Sequence, residues 1–172
     1  FELGLIRNHY VGRTFIEPTQ SIRSFGVKLK LNATQSLVKN KSIILVDDSL
    51  VRGTTCHKIV KMLYDAGAKE VHVRIACPEI HFPDFYGVDM PTKKELLAYQ
   101  KNNDEICKYI QAKTLKFLSL EGLYVGLGKG VRDKIYPQFS DHYFTGDYPI
   151  KPPDNQSDKV TQLSLLSAKS IS

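Results

Sequence analysis

Two adjacent acids, Asp47 and Asp48, follow the aliphatic run Ser42-Ile43-Ile44-Leu45-Val46, and Ser49, Val51, Arg52, Gly53, Thr54 and Thr55 come directly after them. Glycine lets the backbone approach an anion closely, and a helix starting there offers unpaired N–H groups and a partial positive charge. Ser49, Thr54 and Thr55 add hydroxyl donors, so the turn is a phosphate cradle by composition. Two carboxylates beside a phosphate alone would repel it. They fit a ligand that presents them with sugar hydroxyls, a magnesium ion or a developing cation. A sugar phosphate meets both demands, with its phosphate in the turn and its hydroxyls on Asp47 and Asp48.

The surrounding pattern supplies the elements that such a site needs. The run 42–46 reads as a central parallel strand covered on both faces. Ile59, Val60, Leu63 and Ala66 recur at helical spacing over about 57–66, and Gly67 is a helix stop. Val71, Val73 and Ile75 alternate with His72 and Arg74 as a second strand. Strand, helix and strand make a βαβ unit, hence an α/β fold whose ligands bind at the carboxyl ends of the strands. Residues 1–6 read as a strand and 7–41 as a long basic loop with a short helix near 21–25. A loop of that length is usually a lid or a binding loop. The stretch 78–91 is an irregular connection. Thr92 caps a helix through Gln100 with Glu95 completing a capping box, and Asn103 or Asp104 caps the next helix, through Ile110. A strand over 115–120 and a short helix over 121–127 follow. The domain spans 1–150. Residues 151–172 form a polar tail in which Leu163, Leu165 and Leu166 are candidates for a terminal helix.

Composition narrows the classes. A chain of 172 residues with 42% hydrophobic and 24% charged residues suits one globular domain with a real core. No apolar run approaches the ~20 residues a membrane helix needs, and residues 1–30 show no signal-peptide pattern. Because the first residue is Phe1, a fragment or a processed product is one reading. Cys56, Cys77 and Cys107 are scattered without a CxxC pair, which argues for buried thiols in a reducing cytoplasm. Net charge is +6, and residues 1–41 alone hold seven basic side chains against Glu2 and Glu17. That local field suits a polyanionic small ligand. No aromatic platform or helix-turn-helix pattern points to nucleic acid. His9, His57, His72, His81 and His142 are scattered and read as surface or packing residues; Tyr86, Tyr99 and Tyr124 read as core.

The segment from Ile43 through Thr55 resembles the signature with which type I phosphoribosyltransferases bind 5-phosphoribosyl 1-pyrophosphate (PRPP). Within that superfamily, several stretches are similar to the glutamine PRPP amidotransferases: Asn8-His9-Tyr10-Val11-Gly12-Arg13-Thr14-Phe15-Ile16, Ala66-Gly67-Ala68, Pro78-Glu79-Ile80, Phe85-Tyr86-Gly87-Val88-Asp89-Met90 and Phe144-Thr145-Gly146-Asp147-Tyr148-Pro149. The likeness extends over about residues 1–150.

The resemblance implies the type I phosphoribosyltransferase fold, a mainly parallel sheet flanked by helices with a long flexible loop and a C-terminal hood region. It implies a glycosyltransferase that replaces the pyrophosphate of PRPP with ammonia to give 5-phosphoribosylamine in purine synthesis. Asp47 and Asp48 would hold the ribose hydroxyls or Mg2+ and stabilise an oxocarbenium-like carbon. Backbone N–H groups of 51–55 with Ser49, Thr54 and Thr55 would bind the 5′-phosphate, and Arg52 sits in that turn. The basic segment 7–30 would close over PRPP, with Arg7 or Arg13 neutralising pyrophosphate. The family adds a glutaminase domain as ammonia source, purine nucleotides as inhibitors and a homo-oligomeric state. The chain departs from the pattern in lacking that domain and the first strand and pyrophosphate-binding turn of the transferase. Some relatives carry an iron–sulfur cluster, but His81-Phe82-Pro83-Asp84-Phe85 and 137–144 hold no cysteine, so no cluster is expected. Alternative readings are a non-catalytic PRPP or nucleotide-binding regulator and an inactive truncated fragment. A salvage phosphoribosyltransferase fits the Tyr-Val-Gly-Arg-Thr-Phe stretch less well.

Overall fold

The computed structural model describes residues 1–7, 31–88, 92–135 and 137–150. The expected helix near 21–25, the loop residue Arg13 and the tail 151–172 lie outside the described residues, as does the side chain of Arg7. Strand β1 (Leu5–Arg7) pairs antiparallel with β2 (Leu31–Ala33). Helix α1 (Gln35–Val38) leads into β3 (Ser42–Asp47), helix α2 (Thr54–Asp65) and β4 (Glu70–Ile75). After an irregular connection come a single turn (Lys93–Glu95), α3 (Leu97–Gln100), α4 (Asn103–Tyr109), β5 (Thr114–Phe117), α5 (Leu120–Gly126) and α6 (His142–Thr145).

Strands β3, β4 and β5 form a parallel sheet in that order, with Ile43 opposite Val71 and Val73 opposite Leu115. This is the α/β architecture that the βαβ pattern predicts. The core lies on one face of the sheet. Val71, Val73, Ile75 and Leu115 pack there against Cys56, Ile59, Val60 and Leu63 of α2 and Ile106 and Ile110 around α4. Leu5, Leu31 and Ala33 of the β1–β2 hairpin lean on the same cluster. Gly67 ends α2 with a φ of +92°, which glycine adopts without strain, as its stop signal predicts.

Several expectations are corrected. Strand β3 is an edge of the described sheet, not a strand covered on both faces: Ile44 and Val46 remain 66% and 68% exposed. An unbroken aliphatic run predicts two buried faces only if elements exist to cover both. Helix α2 starts at Thr54, ahead of the expected start near 57, with Gly53 as its cap. The helix expected over 92–100 is broken in two. The Thr92–Glu95 capping box is present, but Leu96 is extended between the single turn and α3. Asn102, rather than Asn103 or Asp104, caps α4, its side chain accepting from the Glu105 N–H at 2.9 Å. Tyr124 is a core residue, whereas Tyr86 and Tyr99 are substantially exposed.

Two buried polar clusters hold the part of the chain after β5. Asp141 accepts from Tyr124 Oη at 2.8 Å and from Arg132, which also reaches Asp147 at 2.7 Å. Asp84 Oδ1 accepts from His142 Nε2 at 2.8 Å, and its other oxygen accepts the N–H groups of Tyr86 and Val88. Burial by itself would raise the Asp84 carboxyl, but donors from Val88, His142, Tyr86 and Tyr143 bring it below the ordinary range. A carboxylate can only accept, so His142 Nε2 carries the hydrogen and Nδ1 faces Ser140 Oγ at 3.1 Å. These contacts fasten the connection 82–88 to residues 140–150, and Tyr148 Oη adds a bond to the Pro83 carbonyl at 2.9 Å.

Candidate functional site

The carboxyl end of β3, the turn 48–53 and the start of α2 bring together Asp47, Asp48, Ser49, Val51, Arg52, Gly53, Thr54 and Thr55. Asp47 points to the helix side of the sheet and is half-buried, while Asp48 is exposed. The Asp48 N–H donates to Asp47 Oδ1 at 3.1 Å, and Ser49 Oγ donates to Asp48 Oδ1 at 3.1 Å. Among the described residues no cation pairs with either acid. Burial pushes the Asp47 carboxyl above its ordinary value; the Asp48 N–H opposes this shift and the Asp48 charge adds to it. Two adjacent, unpaired carboxylates that structure alone does not require are the feature a cationic or hydroxyl-bearing ligand would satisfy.

Gly53 caps α2 in the left-handed conformation, with φ +72°. A β-carbon there would lie 2.5 Å from Leu97 Cδ2 and 3.0 Å from Tyr109 Cε1. The turn is therefore pressed against α3 and α4, and it is tied there by the Leu97 N–H donating to the Val51 carbonyl at 2.9 Å. The N–H groups of 51–56 find no acceptor among the described residues, and the first two residues of α2, Thr54 and Thr55, leave their hydroxyls unengaged there. Arg52 Nε donates to Glu95 Oε1 at 3.1 Å in a half-exposed ion pair. Glu95 thus closes the Thr92 capping box and fixes the turn at once, a link no spacing rule shows. Gly53→Ala meets both a strained φ and the Leu97 contact. We expect it to destabilise the domain by about 1–3 kcal/mol in chemical denaturation.

Burial raises both neighbouring thiols. Cys56 is buried beneath Asp47, and its pKa is pushed up to about 12 by burial and by that charge. Cys77 rises to about 11, chiefly by burial. His57, on the first turns of α2, stacks on Tyr109 with ring centroids 5.9 Å apart, and its buried Nδ1 has no partner among the described residues. That is packing, as its isolated position in the sequence implies. Arg7 ends β1 opposite Leu31. Its guanidinium and all of Arg13 fall outside the described residues, so the proposed pyrophosphate contacts are not placed.

No cluster of three or more His, Cys, Asp or Glu side chains capable of holding a metal ion forms among the described residues. Asp47 and Asp48 fit Mg2+ in a more limited sense. They are hard oxygen donors without a competing cation, and this ion is commonly held by one or two carboxylates with water and substrate phosphates completing its shell.

A parallel sheet with acids at a strand end and a glycine-led turn into a helix is an α/β domain of the type I phosphoribosyltransferase fold. The amidophosphoribosyltransferase of Rhizobium etli is 55% identical over 170 residues, which is 98% of this chain and 34% of that protein. The chloroplastic amidophosphoribosyltransferase 2 of Arabidopsis thaliana is 52% identical over 156 residues, 91% of this chain and 27% of its own length. A solved structure of glutamine phosphoribosylpyrophosphate amidotransferase from B. subtilis, complexed with ADP and GMP, superposes with a TM-score of 0.73 at 50% identity, covering 87% of this chain and 33% of that one. The chain is homologous to the amidophosphoribosyltransferases and spans about a third of the length of the curated relatives it matches. No protein-family model matches it. Among the described residues no helix is long and apolar enough to cross a membrane.

Proposed function

We propose that the chain is the PRPP-binding phosphoribosyltransferase portion of an amidophosphoribosyltransferase, taking part in the exchange of pyrophosphate for ammonia at the anomeric carbon. The observation that carries this reading is the pair Asp47 and Asp48, which among the described residues meet no cation and lie beside N–H groups of 51–56 that find no acceptor there. The amides of 51–55, with Ser49, Thr54 and Thr55, bind the 5′-phosphate. Asp47 and Asp48 orient the ribose through its hydroxyls and stabilise positive charge as the carbon–pyrophosphate bond lengthens. Asp47 and Asp48 would also hold Mg2+, which would supply charge neutralisation for the leaving pyrophosphate. Arg7, at the end of β1, or Arg13 completes the neutralisation. Ammonia is its own nucleophile, so no general base is required. Supply of ammonia by a glutaminase, inhibition by purine nucleotides, homo-oligomerisation and a reducing cytoplasm belong to the same proposal.

Titration of the chain with PRPP and Mg2+ by calorimetry tests it, with ammonia-dependent pyrophosphate release as the second readout. Saturable, Mg2+-dependent binding of one PRPP per chain is expected. A folded chain that binds no PRPP removes the reading, and nucleotide binding without pyrophosphate release selects the regulator instead.

A further inference from the structure

The turn that ends at Gly53 leans on one short segment, and three consecutive turn residues are each held by it. The Val51 carbonyl accepts the Leu97 N–H at 2.9 Å, and Arg52 Nε donates to Glu95 Oε1 at 3.1 Å. Gly53 is pressed on Leu97, whose Cδ2 lies 2.5 Å from where a β-carbon would sit. The segment is itself anchored residue by residue. The Lys93 ammonium lies over the rings of Phe82 and Tyr99, 5.5 and 4.6 Å from their centroids. The Lys94 carbonyl accepts from the Gln100 side-chain amide. Glu95 Oε2 accepts from the Thr92 N–H and hydroxyl, at 3.3 Å each. One Glu95 oxygen thus secures its own turn and the other secures Arg52. The two side chains are 49% and 42% exposed, which makes the pair a weak source of fold stability. The Arg52 guanidinium engages Glu95 through Nε, and its two terminal amino groups have no partner among the described residues. A guanidinium anchored in this way still offers a planar fork of donors, the geometry that phosphate accepts bidentately.

We propose that Glu95 is a positioning residue for phosphate: by holding Arg52 Nε it sets the turn 51–53 and presents the free fork of Arg52 to the 5′-phosphate of the sugar ligand. The inference rests on the reading of that turn as a phosphate site, and adds to it a residue 43 positions from Arg52 that touches no ligand itself. Electrostatics alone predicts the opposite effect. A carboxylate beside an anion site repels the anion, so a Glu95 without a positioning task would weaken binding and its removal would tighten it. The charge is present at neutral pH: burial by itself would raise the Glu95 carboxyl, but Arg52 and the Thr92 donors bring it below the ordinary range. Position outweighs this repulsion for two reasons. Water and salt screen exposed charges. An unanchored arginine must also be ordered anew whenever the phosphate arrives, whereas Glu95 has already ordered it.

Calorimetric titration of the whole chain with ribose 5-phosphate, and separately with PRPP and Mg2+, tests this. Glu95→Ala should weaken both ligands by the same factor, ~10-fold. Glu95→Gln keeps a carbonyl oxygen for Arg52 Nε and loses the charge, so it should bind both within about 3-fold of the parent. Arg52→Met should cost at least as much affinity as Glu95→Ala, and the double variant no more than Arg52→Met alone, because Glu95 acts through Arg52. Melting temperatures of both Glu95 variants should stay within about 4 °C of the parent. Equal or tighter binding by Glu95→Ala overturns the proposal, as does a double variant in which the two losses add. A loss confined to PRPP overturns it by placing Glu95 at the pyrophosphate, and a loss with Glu95→Gln as large as with Glu95→Ala does so by making charge the cause. A melting temperature far below that window makes the pair structural and overturns it as well. A parent chain that binds neither ligand removes the phosphate reading and this inference with it, whereas a parent that binds while Glu95→Ala binds equally well removes this inference alone.

Discussion

Asp47→Asn combined with Asp48→Asn should weaken PRPP binding by about 10²–10⁴-fold while raising the melting temperature of the ligand-free chain at pH 7. The binding loss follows from removing two charge-assisted contacts worth roughly 1.5–3 kcal/mol each, at 1.4 kcal/mol per tenfold in affinity. The gain in stability follows from the environment of Asp47. Burial, helped by the Asp48 charge, holds its carboxyl above its unfolded value, so the native chain binds the proton more tightly than the unfolded chain does. Stability therefore falls as pH rises from the ordinary carboxylate value through the folded one, and at neutral pH the ionised acid costs the fold energy. The amide keeps the oxygen that accepts from the Asp48 N–H, so the turn keeps its shape. Calorimetry with PRPP and a thermal melt of the same preparation check both halves. Unchanged PRPP affinity would falsify the site; lower stability would show that Asp47 is structural.

That opposition between binding and stability was readable in advance only in part. The strand, acids, glycine and hydroxyls occur in an order whose chemistry is local, and the structure brings them together at one strand end. The α2 and β4 apolar positions obey simple periodicities, and Gly67 stops α2 at a positive φ. What periodicity does not carry is partner identity across long separations. Arg52 sits in the signature turn, and nothing local points to Glu95, 43 residues on, whose carboxylate meets its Nε. Likewise Leu97 and Tyr109, which shape the floor under Gly53, are ordinary core letters in their own segments. Ile44 and Val46 show the same limit from the other side, since an aliphatic strand states a demand for cover without saying what provides it. His142 was one of five scattered histidines in the sequence. Its role depends on Asp84, a residue with no local motif, which meets it in a side-chain environment with essentially no solvent exposure.

The same limit concealed Asp141, where the second large effect is expected. Asp141→Ala should cost about 3–5 kcal/mol, the usual penalty for removing one member of a buried ion pair. It leaves the fully buried Tyr124 hydroxyl without its acceptor and strips Arg132 of all but Asp147. Tyr124→Phe, which deletes a single hydrogen bond and leaves the carboxylate with Arg132 and Thr145, should cost only about 1 kcal/mol. The pH dependence is opposite in sign to that of Asp47. Burial would raise the Asp141 carboxyl, yet Arg132, Tyr124 and Thr145 bring it below the ordinary value. Its stabilisation is thus complete above the unfolded carboxylate pKa and is lost as pH falls through the lower folded one. Denaturant titrations at a series of pH values should show the gap between the parent chain and Asp141→Ala widest near neutrality and closing in strong acid. The gap created by Asp47→Asn should behave in the reverse sense, with the amide more stable at neutrality and the advantage vanishing as Asp47 is protonated. Two carboxylates in one small domain then separate by titration alone. Asp141 holds its part of the fold together in its ionised form, whereas ionisation of Asp47 costs the fold stability.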